Sequence, residues 1–273
     1  MIKLLRKIRR QLLSEGKTGR YFKYAVGEIL LLVIGILIAL QVNNWNEQRK
    51  LRNESQEILR SLNTEFKNNR MVLKDRIDFL ETANKYVEAV LDLTGSDESD
   101  LAAINIDSII NLSLNYGNYN PANSTIQEVI SSGKLNLIKD DQLKSNLFNW
   151  LQILEDTDED FKNQDLQSVT MLEAYLVKNI SFKNGMMYHP LNYGDGKSNL
   201  FDGKYAHIFN DLEFENLYYG KRFWNTVMIN HYKELDAIAK EIIKQTDIGG
   251  SHKYYSAPTT VYNTSSTLHN TLG

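Results

Sequence analysis

The chain has 273 residues, a formal net charge of −3 and no cysteine, which excludes disulfides, thiolate metal sites and cysteine nucleophiles. Its three prolines, Pro121, Pro190 and Pro258, leave long uninterrupted runs with apolar residues at helical spacing, so an all-α fold is expected. Residues 1–42 hold eight basic and two acidic side chains against 23 and 32 in the remainder; this basic patch abuts an apolar run, which points to an anionic membrane surface and away from nucleic acid.

The first 13 residues, MIKLLRKIRRQLL, set Ile2, Leu5, Ile8 and Leu12 on one helical face and the bases Lys3, Arg6, Lys7, Arg9 and Arg10 on the other. Two readings stand: a basic amphipathic helix lying on the inner leaflet, or a topology signal alone. Tyr24 to Asn43 then supplies the roughly 20 residues that cross a bilayer. Tyr21, Phe22 and Tyr24 stand at one interface, and Trp45 is the anchor at the other. All eight early basic residues precede this span, which predicts a cytoplasmic N-terminus and a large domain outside, periplasmic in a double-membrane bacterium. No small-x-small site follows the apolar run, so the span is read as a retained anchor rather than a cleaved signal. The expected organisation is a cytoplasmic basic segment (1–23), a transmembrane helix (24–43), an extracytoplasmic helical domain (44–247) and a disordered tail (248–273).

Glu28 is the one carboxylate at the mouth of the span. On a helix turning 100° per residue, Tyr24, Leu32, Gly35, Ala39 and Asn46 lie within about 40° of it. Gly35 and Ala39 form a small-xxx-small pair that admits a second helix. One reading makes this stripe a helix contact, in a homodimer or with another envelope membrane protein. The other has Glu28 reaching for the cytoplasmic interface, toward Lys23.

Residues 24–50, YAVGEILLLVIGILIALQVNNWNEQRK, resemble the anchor of a family of uncharacterised bacterial single-pass inner-membrane proteins. SSGKLNLIKDDQLKSNL (131–147) and EFENLYYGKRFWNTVMINHYKELDAIAKEIIK (213–244) are similar to the same family. The resemblance implies the single-pass topology and a helical outer domain. It implies no activity and no catalytic residue.

Beyond the span, Leu51, Ile58, Leu62, Phe66, Leu73, Ile77, Leu80, Val87 and Leu91 repeat every three to four residues, which predicts a helix over 45–93 closed near Gly95. A shorter helix is expected over 99–115. Ser124 and Gln127 have capping-box spacing and open another that closes at Gly133. Asp140 begins a long helix with Leu143, Leu147, Trp150, Leu154, Phe161, Val169, Leu172 and Leu176 on its buried face. The last helix covers 211–247, with Phe214, Leu217, Trp224, Met228, Leu235, Ile238 and Ile242 on its seam, interrupted by Gly220 and Lys221. Together these predict one transmembrane helix followed by an elongated antiparallel helical bundle. Residues 181–210 read as a long irregular loop.

No motif carries recognisable chemistry. GDGKS (194–198) lacks the glycine a phosphate loop needs at position 191, which is Leu191, and reads as a turn. EDTDED (155–160) lacks the glycine and glutamate of a calcium loop and reads as a solvated acidic face. His231 falls on the last helix's seam and reads as a satisfied core or rim histidine, with a pH-sensitive contact as the alternative. No catalytic residue, metal ligand or cofactor is expected. The leading expectation is a non-enzymatic binding or scaffolding module for another envelope protein, and the alternative is a ligand-sensing module with a separate signalling partner.

Overall fold

The computed structural model describes residues 18–189, 194 and 196–248. The basic segment with Lys3, Arg6, Lys7, Arg9 and Arg10, and the tail from 249, lie outside the described residues. Every regular element among those described is helical. Helix α1, Thr18–Asp92, runs for 75 residues without a break, about 110 Å at 1.5 Å per residue. The expected anchor and the helix beyond it are therefore one rod. No proline or internal glycine pair interrupts it, and it stops where Gly95 takes φ +82°, its N–H bonded to Phe209 O at 2.8 Å.

The helix expected over 99–115 is two: α2, Glu98–Leu101, and α3, Ile106–Ser113. The chain turns at 102–105, and Asn105 restarts the helix by accepting the Ser108 N–H at 3.1 Å, an N-cap that competes with helix continuation. Residues 114–123 descend along α1 without helical structure. Asn69 holds them there, donating to Ala122 O at 2.7 Å and accepting the Ala122 N–H at 2.9 Å. Helix α4, Ser124–Ser131, follows. The expected capping box is not formed. Instead Glu65 of α1 accepts from Ser124 Oγ, Thr125 N and Thr125 Oγ1 at 2.8, 3.0 and 2.9 Å. A full carboxylate beside free N–H groups outcompetes a neutral amide.

Gly133 takes φ +70° and leads through a 3₁₀ turn, Lys134–Leu137, back to the start of the packed helices. There Ser55 Oγ donates to Leu137 O at 2.9 Å. Asp140 caps α5, Asp141–Asp165, as expected, accepting from Gln142 N and Leu143 N. The rod then passes through a π-helical segment, Leu166–Glu173, into α6, Ala174–Asn179. The segment 181–210 is not structureless: it holds α7, Phe182–Gly185, a 3₁₀ turn, Met186–Tyr188, and α8, Ala206–Phe209. Helix α9, Leu212–Gln245, is capped by Asp211. It runs antiparallel to α1, fixed by Arg70–Asp236 at 2.8 Å and Asn63 Nδ2 to Ile243 O at 2.8 Å. It is antiparallel to α5 as well, with Asn146 bonded to Gln245 and Gln164 to Asn225.

Apolar burial divides into two clusters. The lower, nearer the apolar end of α1, centres on Leu62, Phe66, Trp150 and Tyr232; Phe66 and Trp150 meet edge to face at 4.9 Å. The upper centres on Val87, Leu172, Phe209, Phe214 and Tyr218. Several seam expectations shift: Leu51 is exposed, and Ile238 is half-buried beside a fully buried Ala239. Ile153 is buried where Leu154 is half-buried, and Val169 is 47% exposed. Trp224 is half-buried, with Lys221 and Asn225 fully buried on that helix instead.

Candidate functional site

Three places in the fold bear on function. The first is the apolar length of α1. From Phe22 onward this helix is long and apolar enough to cross a membrane, and no part of the apolar window is covered by the rest of the described chain. Every side chain from Ile29 to Asn53 is exposed. The unbroken helix carries Tyr24, Glu28, Leu32, Gly35, Ala39 and Asn46, and a Cβ added at Gly35 would meet nothing. Trp45, just past the expected span, is exposed.

The second is a polar layer between the two apolar clusters. Gln164, Gln167 and Ser168 of the α5 rod face Lys221 and Asn225 of α9, and all five are buried. Lys221 Nζ bonds Ser168 Oγ at 3.3 Å and lies 4.8 Å from the centre of the Tyr116 ring. Burial pushes the Lys221 ammonium down to about 8, opposed by Glu173. Burial in turn raises the Glu173 carboxyl, against the pull of Lys221. Tyr116 donates to Asp165 at 2.7 Å; desolvation first, and then this carboxylate, hold its phenol well above the ordinary range. A desolvated amine beside a hydroxyl has the ingredients of a base and a nucleophile. Both are fully buried here, so no substrate reaches Ser168 Oγ in this conformation. The surrounding amides are tied to the fold: Gln167 Nε2 donates to Leu217 O at 2.7 Å, and a Cβ at Gly220 would come 3.3 Å from that Gln167. Gly220 thus permits the close approach of α9 to the π-helical segment.

The third is a cavity of about 350 Å³ at the end remote from the apolar part of α1, walled by Glu98, Asp107, Lys197, Phe201, Asp202 and Tyr205 among others. Its acidic groups have structural work. Glu98 accepts the Tyr205 and Ala206 N–H groups at 3.0 and 2.9 Å, and Tyr205 donates to Asp107. Asn184 accepts the Ser198 N–H at 2.7 Å, which pins the GDGKS stretch. Gly196 has φ +127°, and a Cβ at Gly194 would lie 2.5 Å from Met187 N.

With this geometry in view, a family model matches residues 28–176, more than half of the chain. The chain belongs to DUF6090, a family of unknown function. No curated protein and no solved structure matches it. The DUF6090 match takes in the apolar stripe from Glu28 and the rod as far as Leu176. It stops short of α9, so Lys221 and most of the cavity wall lie beyond it.

The remaining sequence candidates of this DUF6090 chain fall into ordinary roles. His231 sits at the rim of the α5–α9 seam with Nε2 2.8 Å from Asp160 Oδ2, its side chain 22% exposed. Within the acidic run, Asp158 pairs with Lys162 and Asp156 accepts from Gln152. No group of three histidine, aspartate or glutamate side chains among the described residues is placed to hold a metal. The amino-acid sequence shows only half of the polar layer. Lys221 interrupts an apolar seam, but its partners needed a second signal: polar residues four apart on both facing helices, Gln164 with Ser168 and Lys221 with Asn225, on faces that otherwise read as apolar.

Proposed function

We propose that this DUF6090 chain is a single-pass inner-membrane protein whose elongated antiparallel helical bundle, held outside the cytoplasm, binds or scaffolds another envelope protein without catalysis. One observation carries the reading. The helix long and apolar enough to cross a membrane is also the helix that organises the core, so a domain anchored by it cannot turn freely relative to its anchor. A rigid link of this kind suits a protein that fixes a partner's position and orientation. The stripe of Tyr24, Glu28, Leu32, Gly35, Ala39 and Asn46 is the proposed contact within the membrane, with the small residues admitting a second helix. The eight basic residues before the span set the N-terminus inside, where Lys3, Arg6, Lys7, Arg9 and Arg10 meet anionic lipid.

The test is a cysteine scan from Gln41 to Leu51 in intact cells, where the cysteine-free background makes every cross-link interpretable. Labelling from outside at these positions, with disulfide dimers recurring at helical period around Asn43 and Asn46, supports the topology and makes the stripe a homodimer face. Labelling without periodic cross-links assigns the stripe to a different partner. Protection of all positions from an external reagent overturns the orientation.

The cavity near Glu98 and Tyr205 favours a second reading, a ligand-sensing module acting with a separate signalling protein. A small polar molecule seated there would bind only the folded state and raise its melting temperature. A screen of polar metabolites against the full chain in detergent checks this, with Tyr205→Phe as the variant that loses the shift.

A further inference from the structure

The π-helical segment between the two apolar clusters is oriented against its own composition. Leu166, Val169 and Met171 are exposed by 57, 47 and 53%, while Gln167 and Ser168 are buried. The polar groups so buried are incompletely matched. Gln164 Nε2 donates to Asn225 Oδ1 at 2.8 Å, yet Gln164 Oε1, Gln167 Oε1 and Asn225 Nδ2 have no protein partner. An ammonium carries three donor hydrogens, and Lys221 bonds a single side chain, at 3.3 Å. The layer holds more donors and acceptors than it joins, so another pairing of the same groups is available. Across the layer Gly220 leaves the α9 backbone smooth where Gln167 rests on it.

We infer that Leu166–Glu173 is a two-register joint, π-helical in this structure and α-helical in an alternative state. A π turn takes more residues than the 3.6 of an α turn. An α-helical path therefore brings the inner face round sooner, by about one residue at the end of the segment. Met171 then takes the place of Leu172, Tyr175 that of Leu176 and Ala174 that of Tyr175, so two of the three buried downstream slots keep a large side chain and the third is underfilled, which makes this the minor state. Helix α6 turns about its own axis by roughly 100°, and the Phe182–Tyr188 segment follows. That segment supplies Asn184, Met187 and Tyr188 to the cavity. The joint thus links the shape of the remote cavity to the packing of the rod continuous with α5. This holds whether the domain's partner is a protein or a small molecule.

The test uses the full chain in detergent with spin labels at Lys85→Cys on α1 and Val177→Cys on α6, both exposed positions. Deletion of Val169 removes the extra residue and holds the segment α-helical with its downstream register intact. The expected result is two distances in the parent chain, the minor one holding roughly a tenth of the molecules, and one distance in the deletion. A single narrow distance in the parent overturns the joint, whether or not the deletion folds. Two distances that persist unchanged in a folded deletion variant overturn it as well, since the heterogeneity then lies elsewhere. If the deletion does not fold, Lys221→Met replaces it. Removing the donor that bridges the layer should change the ratio of the two distances at least threefold, and an unchanged ratio counts against the joint.

Discussion

An ammonium taken out of water stays charged at a cost, and at Lys221 that cost is written into the pH dependence of stability. Burial lowers it from 10.5 to about 8. Below that pH both folded and unfolded chains carry the proton, and the folded state bears the full penalty. Between about 8 and 10.5 the unfolded chain keeps a proton that the folded chain has released, so stability rises with pH through this window. The rise is on the order of 3 kcal/mol at 1.36 kcal/mol per unit. Above about 10 the buried tyrosines reverse the trend: Tyr232, raised to about 12 chiefly by burial, keeps its proton folded and loses it unfolded. Urea midpoints should therefore climb from pH 7 to 9.5 and fall beyond 10.5. Lys221→Met should be the more stable protein at pH 7 and should lose the climb, as expected when an apolar side chain replaces a poorly paired buried charge. A parent midpoint that is flat from pH 7 to 9.5 would place Lys221 in contact with water.

The elements were legible wherever one helix dictates its own pattern, and illegible wherever a distant residue intervenes. Helix α1 announces itself through its apolar run and the three-to-four spacing from Leu51 to Leu91, and Asp140 caps α5 within its own turn. Ser124 and Gln127 matched a local capping pattern, yet the cap came from Glu65, 59 residues earlier, which no local rule can see. The π-helical segment defeated the seam reading differently: a 100° period projected through it puts Val169 inside. The remote cap is checkable. Glu65→Ala leaves two hydroxyls and an amide at the start of α4 without their acceptor, and should cost about 3 kcal/mol by urea denaturation. Arg70→Ala removes a partly exposed ion pair and should cost about 1 kcal/mol or less. Equal losses would mean that the Glu65 bonds add nothing beyond ordinary surface pairing. The exposed stretch of α1 gives a second check. Since every side chain from Ile29 to Asn53 is exposed among the described residues, a chain starting at Leu51 should keep its helical signal and melt within a few degrees of the full protein. A large fall in melting temperature would show that the domain depends on its anchor for folding.

At the scale of the molecule, the consequence of one continuous α1 is height. From Asn44 to Asp92 the helix rises about 73 Å, and a 20° tilt shortens this by only a few Å. The first packing partners appear at Glu54 and Ser55, where Lys134 and Leu137 close on the rod. On the proposed topology, the stretch from Asn44 to Asn53, about 15 Å long and exposed among the described residues, would set the separation of the domain from the membrane and its direction. Three positive charges, Arg49, Lys50 and Arg52, lie on this stretch beside Glu47, so attraction to anionic lipid alone would draw the domain down; helical stiffness opposes it. A fluorophore at Asp97→Cys, measured by energy transfer to acceptor lipids in nanodiscs, should report a tip roughly 70 Å from the surface. Insertion of Gly-Gly-Ser after Gln48 breaks the rod where it touches nothing else, so melting should be unchanged. Transfer should rise as the freed domain samples positions near the bilayer. Efficient transfer in the parent chain would mean that α1 bends at the membrane surface, and the rigid link between anchor and domain would be lost with it.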